Sequence, residues 1–183
     1  MASAAPTEPQ LDAEAIYARL RDQVLERLAA QRRRPALIGI HTGGAWIAER
    51  LHAELPPGTP LGFLSSAFHR DDYAERGLPA AMKGTRIDFD VNDADLLLVD
   101  DILYTGRTVR AALNEIFDHG RPARVELAVL LDRGGRQLPI QADYVGRVLP
   151  LPSDANFVLE RDDAGKRLSL RIETGSDRRG ASD

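Results

Sequence analysis

Apolar and polar positions follow two rhythms along the chain. From Leu11 the apolar side chains Ile16, Leu20, Val24, Leu25 and Leu28 recur at helical spacing, which predicts a helix capped by Asp12 and ended by Gln31 to Arg34 and Pro35. Ala36 to His41 is a short apolar run and reads as a buried strand; Thr42-Gly43-Gly44 reads as a turn and Ala45 to Glu54 as a second helix. Pro56, Pro57, Gly58 and Pro60 interrupt the chain before another strand at Leu61 to Phe68. Leu96 to Val99 is the clearest buried strand, stopped by Asp100 and Asp101. Gly106 to His119 carries Val109, Leu113, Ile116 and Phe117 on one side and predicts a helix closed by Gly120 and Pro122. Val125 to Leu131 predicts a further strand, and Phe157 to Glu173 a strand pair turning at Ala164-Gly165. Strands alternating with helices predict an α/β fold, a mainly parallel sheet flanked by helices.

Three stretches lack either rhythm. Residues 1–10 are expected to be a flexible arm and residues 174–183 a disordered tail, leaving one domain over 11–173. The polar stretch from His69 to Asp95, with Gly77, Pro79 and Gly84, is too long for an ordinary connection and is expected to be a flexible lid hairpin.

Composition narrows the chemistry. Hydrophobic residues at 43% and charged residues at 28% are a globular balance. The net charge of −4 offers no strongly basic total of the kind that announces nucleic acid, although a total does not exclude a local patch. With no cysteine, disulfides, thiolate catalysis and Cys-ligated zinc drop out. His41, His52, His69 and His119 match no zinc spacing, and Trp46 reads as core or interface. The first ten residues have neither a basic n-region nor an apolar h-region, and no run is long enough to span a membrane; a cytoplasmic protein without membrane contact is expected.

The densest chemistry lies between Leu96 and Thr108. An apolar strand delivers Asp100 and Asp101 at its carboxyl end, and a loop with Thr105, Gly106 and Thr108 leads into a helix. Ligands of open α/β sheets sit at strand carboxyl ends. A helix amino end attracts an anion through its N–H groups and dipole. The loop is therefore suited to a phosphate, and the carboxylates to sugar hydroxyls or Mg²⁺. A ribose 5-phosphate satisfies both. Thr42-Gly43-Gly44 repeats the strand-to-helix arrangement as a second, smaller anion cradle.

The run Val99-Asp100-Asp101-Ile102-Leu103-Tyr104-Thr105-Gly106-Arg107-Thr108 resembles the signature of type I phosphoribosyltransferases, which use 5-phosphoribosyl 1-diphosphate (PRPP). The variant through Val109-Arg110, with Gly39-Ile40-His41-Thr42-Gly43-Gly44, Arg70-Asp71-Asp72, Asp132-Arg133-Gly134 and Ala142-Asp143-Tyr144-Val145-Gly146, resembles the family of bifunctional pyrimidine operon regulators and uracil phosphoribosyltransferases. Purine-using members usually carry an acid where this chain has Tyr104.

The resemblance implies a reaction of uracil with PRPP to give UMP and pyrophosphate, with Mg²⁺. It implies that Asp100 and Asp101 hold the ribose hydroxyls and that Tyr104, Thr105, Gly106, Arg107 and Thr108 form the phosphate side of the PRPP site. Thr42, Gly43 and Gly44 would take the pyrophosphate, often through a strained non-proline peptide, and Arg70 would meet the diphosphate from the lid, with Lys83 or Arg86 assisting. Asp101 would face the metal, and Asp132 would do so through water. A small hood over about 135–150 would cover the base, with Arg133 near it and Tyr144, Val145 and Gly146 as base contacts; Tyr144 reads equally well as an ordinary core aromatic. Family members form homodimers or higher homo-oligomers.

Some members also bind a messenger-RNA leader when loaded with UMP. Here Ala18, Asp22, Gly135 and Gln141 stand where RNA-binding members carry Thr, His, His and Arg, and Gly43 stands where regulators commonly carry Arg. Arg19, Arg27, Arg136 and Arg147 remain. An enzyme with a reduced RNA role is expected; the regulator itself, a phosphoribosyltransferase for another base, and a nucleotide sensor without turnover are the alternatives.

Overall fold

The computed structural model describes residues 11–31, 34–65, 84–162, 164 and 167–174. Helix α1 (Ala13–Gln31) begins where Asp12 Oδ1 accepts the N–H groups of Glu14 and Ala15 at 3.0 and 3.1 Å. Its stripe of Ile16, Leu20, Val24 and Leu28 is buried, as the spacing predicts. Then come β1 (Ala36–Ile40), α2 (Gly43–Ala53), β2 (Leu61–Leu64), β3 (Asp95–Leu103), α3 (Arg107–His119), β4 (Arg124–Asp132), β5 (Tyr144–Val148), β6 (Ala155–Arg161) and β7 (Leu168–Thr174).

Strands β2-β1-β3-β4-β5 form one parallel sheet in that order, and β6 and β7 form an antiparallel pair. The fold is thus α/β with a parallel sheet flanked by helices. Alternate residues of the central strands serve two cores. Leu97, Val99, Ala128 and Leu130 pack with α1, α2 and the inner residues Phe157, Leu159, Leu168 and Leu170 of the β6–β7 pair. Leu96, Leu98, Leu127 and Val129 pack with Val109, Ala112 and Ile116 of α3 on the other face. Burial on both faces explains why these strands read as unbroken apolar runs. Phe117, expected on the apolar side of α3, is partly exposed, with Arg121 over its ring at 5.7 Å.

A polar staple joins distant parts of the chain. Arg50 donates to both Glu14 oxygens at 2.9 and 2.8 Å and lies 3.9 Å over the Tyr17 ring, while Leu168 N–H donates to Glu14 Oε1 at 2.7 Å. The Arg50 hydrogen bonds hold the Glu14 carboxyl below its ordinary range, and burial pushes the Tyr17 hydroxyl up to about 12.

Several boundaries differ from the expectation. β3 does not stop at the acid pair but continues through Asp100 and Asp101 to Leu103, because β4 keeps pairing with it as far as Leu103↔Asp132. β1 pairs with β3 only up to Val99, so the acid pair overhangs on that side. Gly43 and Gly44 are the first turn of α2 rather than a turn before it. Within the span expected as a lid, residues 84–95 are packed down: Phe63 and Arg86 exchange backbone hydrogen bonds at 2.8 Å, and Val91 is buried. Within the span expected as a hood, Tyr144–Val148 is the edge strand of the main sheet. The arm, residues 66–83 with His69, Arg70 and Lys83, Gly165, and residues 175–183 lie outside the described residues.

Candidate active site

The strand order places its switch point between β1 and β3, where connections run off in opposite directions. A crevice opens at the carboxyl ends of such a pair. On the β1 side the His41–Thr42 peptide is cis, and α2 starts immediately after it with Gly43 and Gly44. On the β3 side stand Asp100, 3% exposed, and the more open Asp101. Asp100 Oδ1 accepts the Asp101 N–H at 2.9 Å, and Asp101 Oδ1 accepts the Ile102 N–H at 3.0 Å. These bonds fix both carboxylates against their own backbone.

The two sides interlock. A Cβ on Gly44 would lie 2.8 Å from Asp100 Cα, and a Cβ on Gly43 would lie 2.6 Å from Asp101 Cγ and 2.8 Å from its Cβ. Both glycines are required by close approach: any side chain would occupy the space of the acid pair. The cradle and the carboxylates therefore form one surface.

Beyond β3, Thr105 is buried and its Oγ1 accepts the Arg107 N–H at 3.3 Å. Gly106 precedes α3 in the left-handed region, with φ 91°, and offers no side-chain cap, so an anion can take that place at the helix end that carries Arg107 and Thr108. Arg107 Nη2 donates to Gln137 Oε1 at 2.9 Å. The loop after β4 wraps this segment: Arg133 N–H donates to Leu103 O at 3.0 Å, and Gln137 and Leu138 N–H to Thr105 O at 3.0 and 3.2 Å.

The remaining predicted residues divide. Arg133, 4% exposed, donates from Nη1 to Asn156 Oδ1 at 2.6 Å and from Nη2 to Pro152 O at 3.0 Å, and stacks 3.8 Å from the centre of the Tyr104 ring. It joins the acid-pair strand to the start of β6. Asp132 is engaged within the protein: Oδ1 accepts the Gly134 N–H at 2.9 Å and Oδ2 pairs with Arg136. Tyr144, 2% exposed, belongs to the core and donates its hydroxyl to Glu126 at 2.8 Å. Val145 O accepts from Gln23, and Gly146 is pressed between β4 and α1. Register gives the reason: Tyr144 and Val145 pair with Ala128 and Val129, well back from the carboxyl edge at Asp132. At that edge stands Val148, 63% exposed. Sequence reading missed Val148, Pro152 and Asn156; counting the register back from Asp132 is the signal that finds Val148.

Among the described residues, no group of three or more His, Cys, Asp or Glu assembles to hold a metal. Mg²⁺ commonly takes one or two protein carboxylates with substrate phosphates and water, and the donor set of Asp100 and Asp101 beside an anion cradle fits that mode. No described helix is long and apolar enough to cross a membrane.

The profile of the phosphoribosyl transferase domain matches residues 9–160. Among solved structures, a hypoxanthine-guanine phosphoribosyltransferase from Bacillus anthracis superposes with a TM-score of 0.61 at 19% identity, covering 79% of this chain and 85% of that one. A hypoxanthine phosphoribosyltransferase from Staphylococcus aureus gives 0.58 at 22% identity, covering 81% and 80%. At that identity the likeness shows the fold. Two curated relatives are much more similar in sequence. Bifunctional protein PyrR of Ralstonia nicotianae is 50% identical over 163 residues, spanning 87% of this chain and 91% of its own. Bifunctional protein PyrR of Nitrosococcus oceani is 48% identical over 161 residues, spanning 86% and 91%. The chain belongs to the type I phosphoribosyltransferases and, within them, to the PyrR family.

Proposed function

We propose that the protein is a uracil phosphoribosyltransferase of the cytoplasm, forming UMP and pyrophosphate from uracil and PRPP. The observation that supports this is the interlock of Gly43 and Gly44 with Asp100 and Asp101, which brings the start of α2 and the two carboxylates onto one surface. Asp100 and Asp101 accept hydrogen bonds from the ribose hydroxyls. Thr105, Gly106, Arg107 and Thr108 hold the 5-phosphate at the amino end of α3, with Tyr104 beside the sugar. Thr42, Gly43 and Gly44 hold the diphosphate, and Arg70 contributes a positive charge to it.

In the reaction the bond between ribose C1 and the diphosphate oxygen breaks, uracil N1 bonds to C1, and the N1 proton is lost. The ring passes through an oxocarbenium-like state, as in glycoside chemistry. No covalent nucleophile is required; positioning and electrostatics carry the rate. Asp101, with Asp100 beside it, would hold Mg²⁺, which would supply charge neutralisation of the diphosphate. Because Asp132 is neutralised by Arg136, its part is to brace the loop that carries Arg133. The base lies near Arg133 and Tyr104, with Val148 at the rim, rather than against Tyr144, Val145 and Gly146.

Two observations support a reduced RNA role. Asp22 is exposed and pairs with Arg21 at 2.7 Å, and Arg136 turns inward to Tyr104 O at 2.6 Å. The regulator reading fits as well, because relatives near 50% identity are named bifunctional. A homodimer accords with the family resemblance. Purified protein with Mg²⁺, PRPP and each of uracil, hypoxanthine, guanine and orotate tests the reading. UMP from uracil alone supports it. PRPP binding without any nucleotide refutes it and moves the protein to the regulator, for which UMP-dependent binding of a pyrimidine-leader RNA is the measurement.

A further inference from the structure

Arg161 stands at an inward position of β6. Side chains two apart on a strand share a face, and Phe157 and Leu159, which precede it on that face, are buried in the core. Its cross-strand partner Leu168 is buried as well. Where the alternation calls for a third apolar side chain, the strand presents a guanidinium, and it reaches α2. Nη1 donates to Glu49 Oε2 at 2.7 Å, and Cζ lies 5.0 Å from the centre of the Trp46 ring. Trp46 and Glu49 are three positions apart on one helix face, so a single side chain spans a turn of α2.

That turn is loosely closed by its own bonds. Thr42 gives it no side-chain cap, and Gly43 and Gly44 bring no side chain. The Trp46 N–H reaches Thr42 O at 3.4 Å, beyond the usual range of about 2.7–3.2 Å. The residue whose N–H closes the turn is therefore the residue that Arg161 covers.

We propose that Arg161 is a positioning residue for the diphosphate: by holding Trp46 and Glu49 it keeps the first turn of α2, and the N–H groups it offers, in one arrangement. The inference rests on the reading of Thr42, Gly43 and Gly44 as the diphosphate cradle. A helix end without side chains binds an anion through its backbone N–H groups, which must point at it together. If the turn visits other arrangements, apparent affinity falls by the fraction of protein left in the competent one. The base side is spared, because Arg133 is held at the opposite end of β6 by Asn156, and β6 keeps its backbone pairing with β7 whatever stands at position 161.

The test compares Arg161→Ala with Arg171→Ala. Arg171 pairs with Glu160 and Glu173 within the same hairpin, so its loss removes ion pairs from β6 and β7 and leaves the contacts with α2 in place. Trp46 is the only tryptophan in the chain, and its quenching by acrylamide reads the brace without any ligand. Arg161→Ala is expected to quench more steeply than the wild type and Arg171→Ala equally; equal quenching in all three overturns the brace. In calorimetric titration with inorganic pyrophosphate and Mg²⁺, Arg161→Ala is expected to weaken binding at least about threefold, with Arg171→Ala unchanged. Glu49→Gln, which removes the charge from the other partner, is expected to weaken binding in the same sense. With uracil and PRPP, KM for PRPP rises by the same factor in Arg161→Ala while KM for uracil stays within about twofold.

Steeper quenching with unchanged pyrophosphate affinity leaves Arg161 a purely structural contact and overturns the proposal, as do equal losses in the two arginine variants or KM values for PRPP and uracil that rise together. A wild type that binds no pyrophosphate refutes the cradle itself, and the proposal falls with it. A wild type that binds pyrophosphate and makes no UMP refutes the uracil reading alone, and the titration still decides the part played by Arg161.

Discussion

Gly43→Ala probes the junction between the cradle and the acid pair. The new methyl would stand 2.6 Å from Asp101 Cγ, well inside contact distance, so the carboxylate has to swing away. That swing breaks the bond from Ile102 N–H to Asp101 Oδ1, now 3.0 Å, and carries the acid off the sugar. An off-rotamer side chain costs about 0.5–1.5 kcal/mol. Losing a hydrogen bond to a charged partner costs about 1.5–3 kcal/mol more. Those costs fall on the folded enzyme before substrate binds and lower its stability by roughly 2–4.5 kcal/mol; what kcat/KM for PRPP loses is the charge-assisted hydrogen bond that the displaced carboxylate no longer accepts, about 1.5–3 kcal/mol or about 10- to 150-fold at tenfold per 1.36 kcal/mol. Stability moves differently. Gly43 is a helical residue without a left-handed backbone, so alanine favours α2 by up to about 1 kcal/mol, which offsets only part of that cost. Steady-state kinetics in PRPP beside a thermal melt separates the two effects. A kcat/KM within threefold of wild type would refute the reasoning, and so would a loss matched by a collapse of the melting temperature.

Other perturbations reach different parts of the molecule. Asp100→Asn and Asp101→Asn are each expected to cut turnover at least about 100-fold with the fold intact, as expected for charge-assisted hydrogen bonds made to the reacting sugar; near-normal turnover in both would exclude the acid pair from the reaction. Tyr144→Phe removes the buried bond to Glu126 and is expected to cost about 1–3 kcal/mol in urea unfolding with KM for uracil unchanged; a tenfold higher KM would return Tyr144 to the base site. Glu14, whose carboxyl Arg50 holds below 4.5, stabilises the fold above that value and loses its contribution as pH falls through the lowered one. Urea midpoints measured from pH 7 to pH 3 should therefore fall on the acid side, and Glu14→Gln should flatten that limb; an identical limb in the variant counts against the staple.

The glycine loop and the acid pair at the strand end were legible because their pattern is local. A strand, two carboxylates, a glycine and a helix start follow one another in thirteen positions, from Leu96 to Thr108, and each constrains the next. The helical stripe of α1 and its Asp12 cap were legible for the same reason. What escaped depends on pairing between strands. Nothing near Asp100 says that β4 will carry β3 past the acids while the pairing of β3 with β1 stops at Val99. Tyr144 reads equally as a base contact or an ordinary core aromatic, and neither its burial nor its register against Ala128, back from the carboxyl edge, is visible in the sequence. Asn156 entered the picture through a single long-range bond from Arg133, which no spacing announces.

The Glu14 staple has a consequence for how the chain is made. Glu14 emerges early during synthesis, and Arg50 can meet it as soon as α2 has formed. Its second partner, the Leu168 N–H, lies 154 residues later. Until β6 and β7 have left the ribosome, the apolar side of α1 and α2 that Phe157, Leu159, Leu168 and Leu170 cover stays open to water. The nascent chain can thus assemble the loops after β1 and β3 before that side is closed, and it is in this interval that a holding chaperone has a surface to grip.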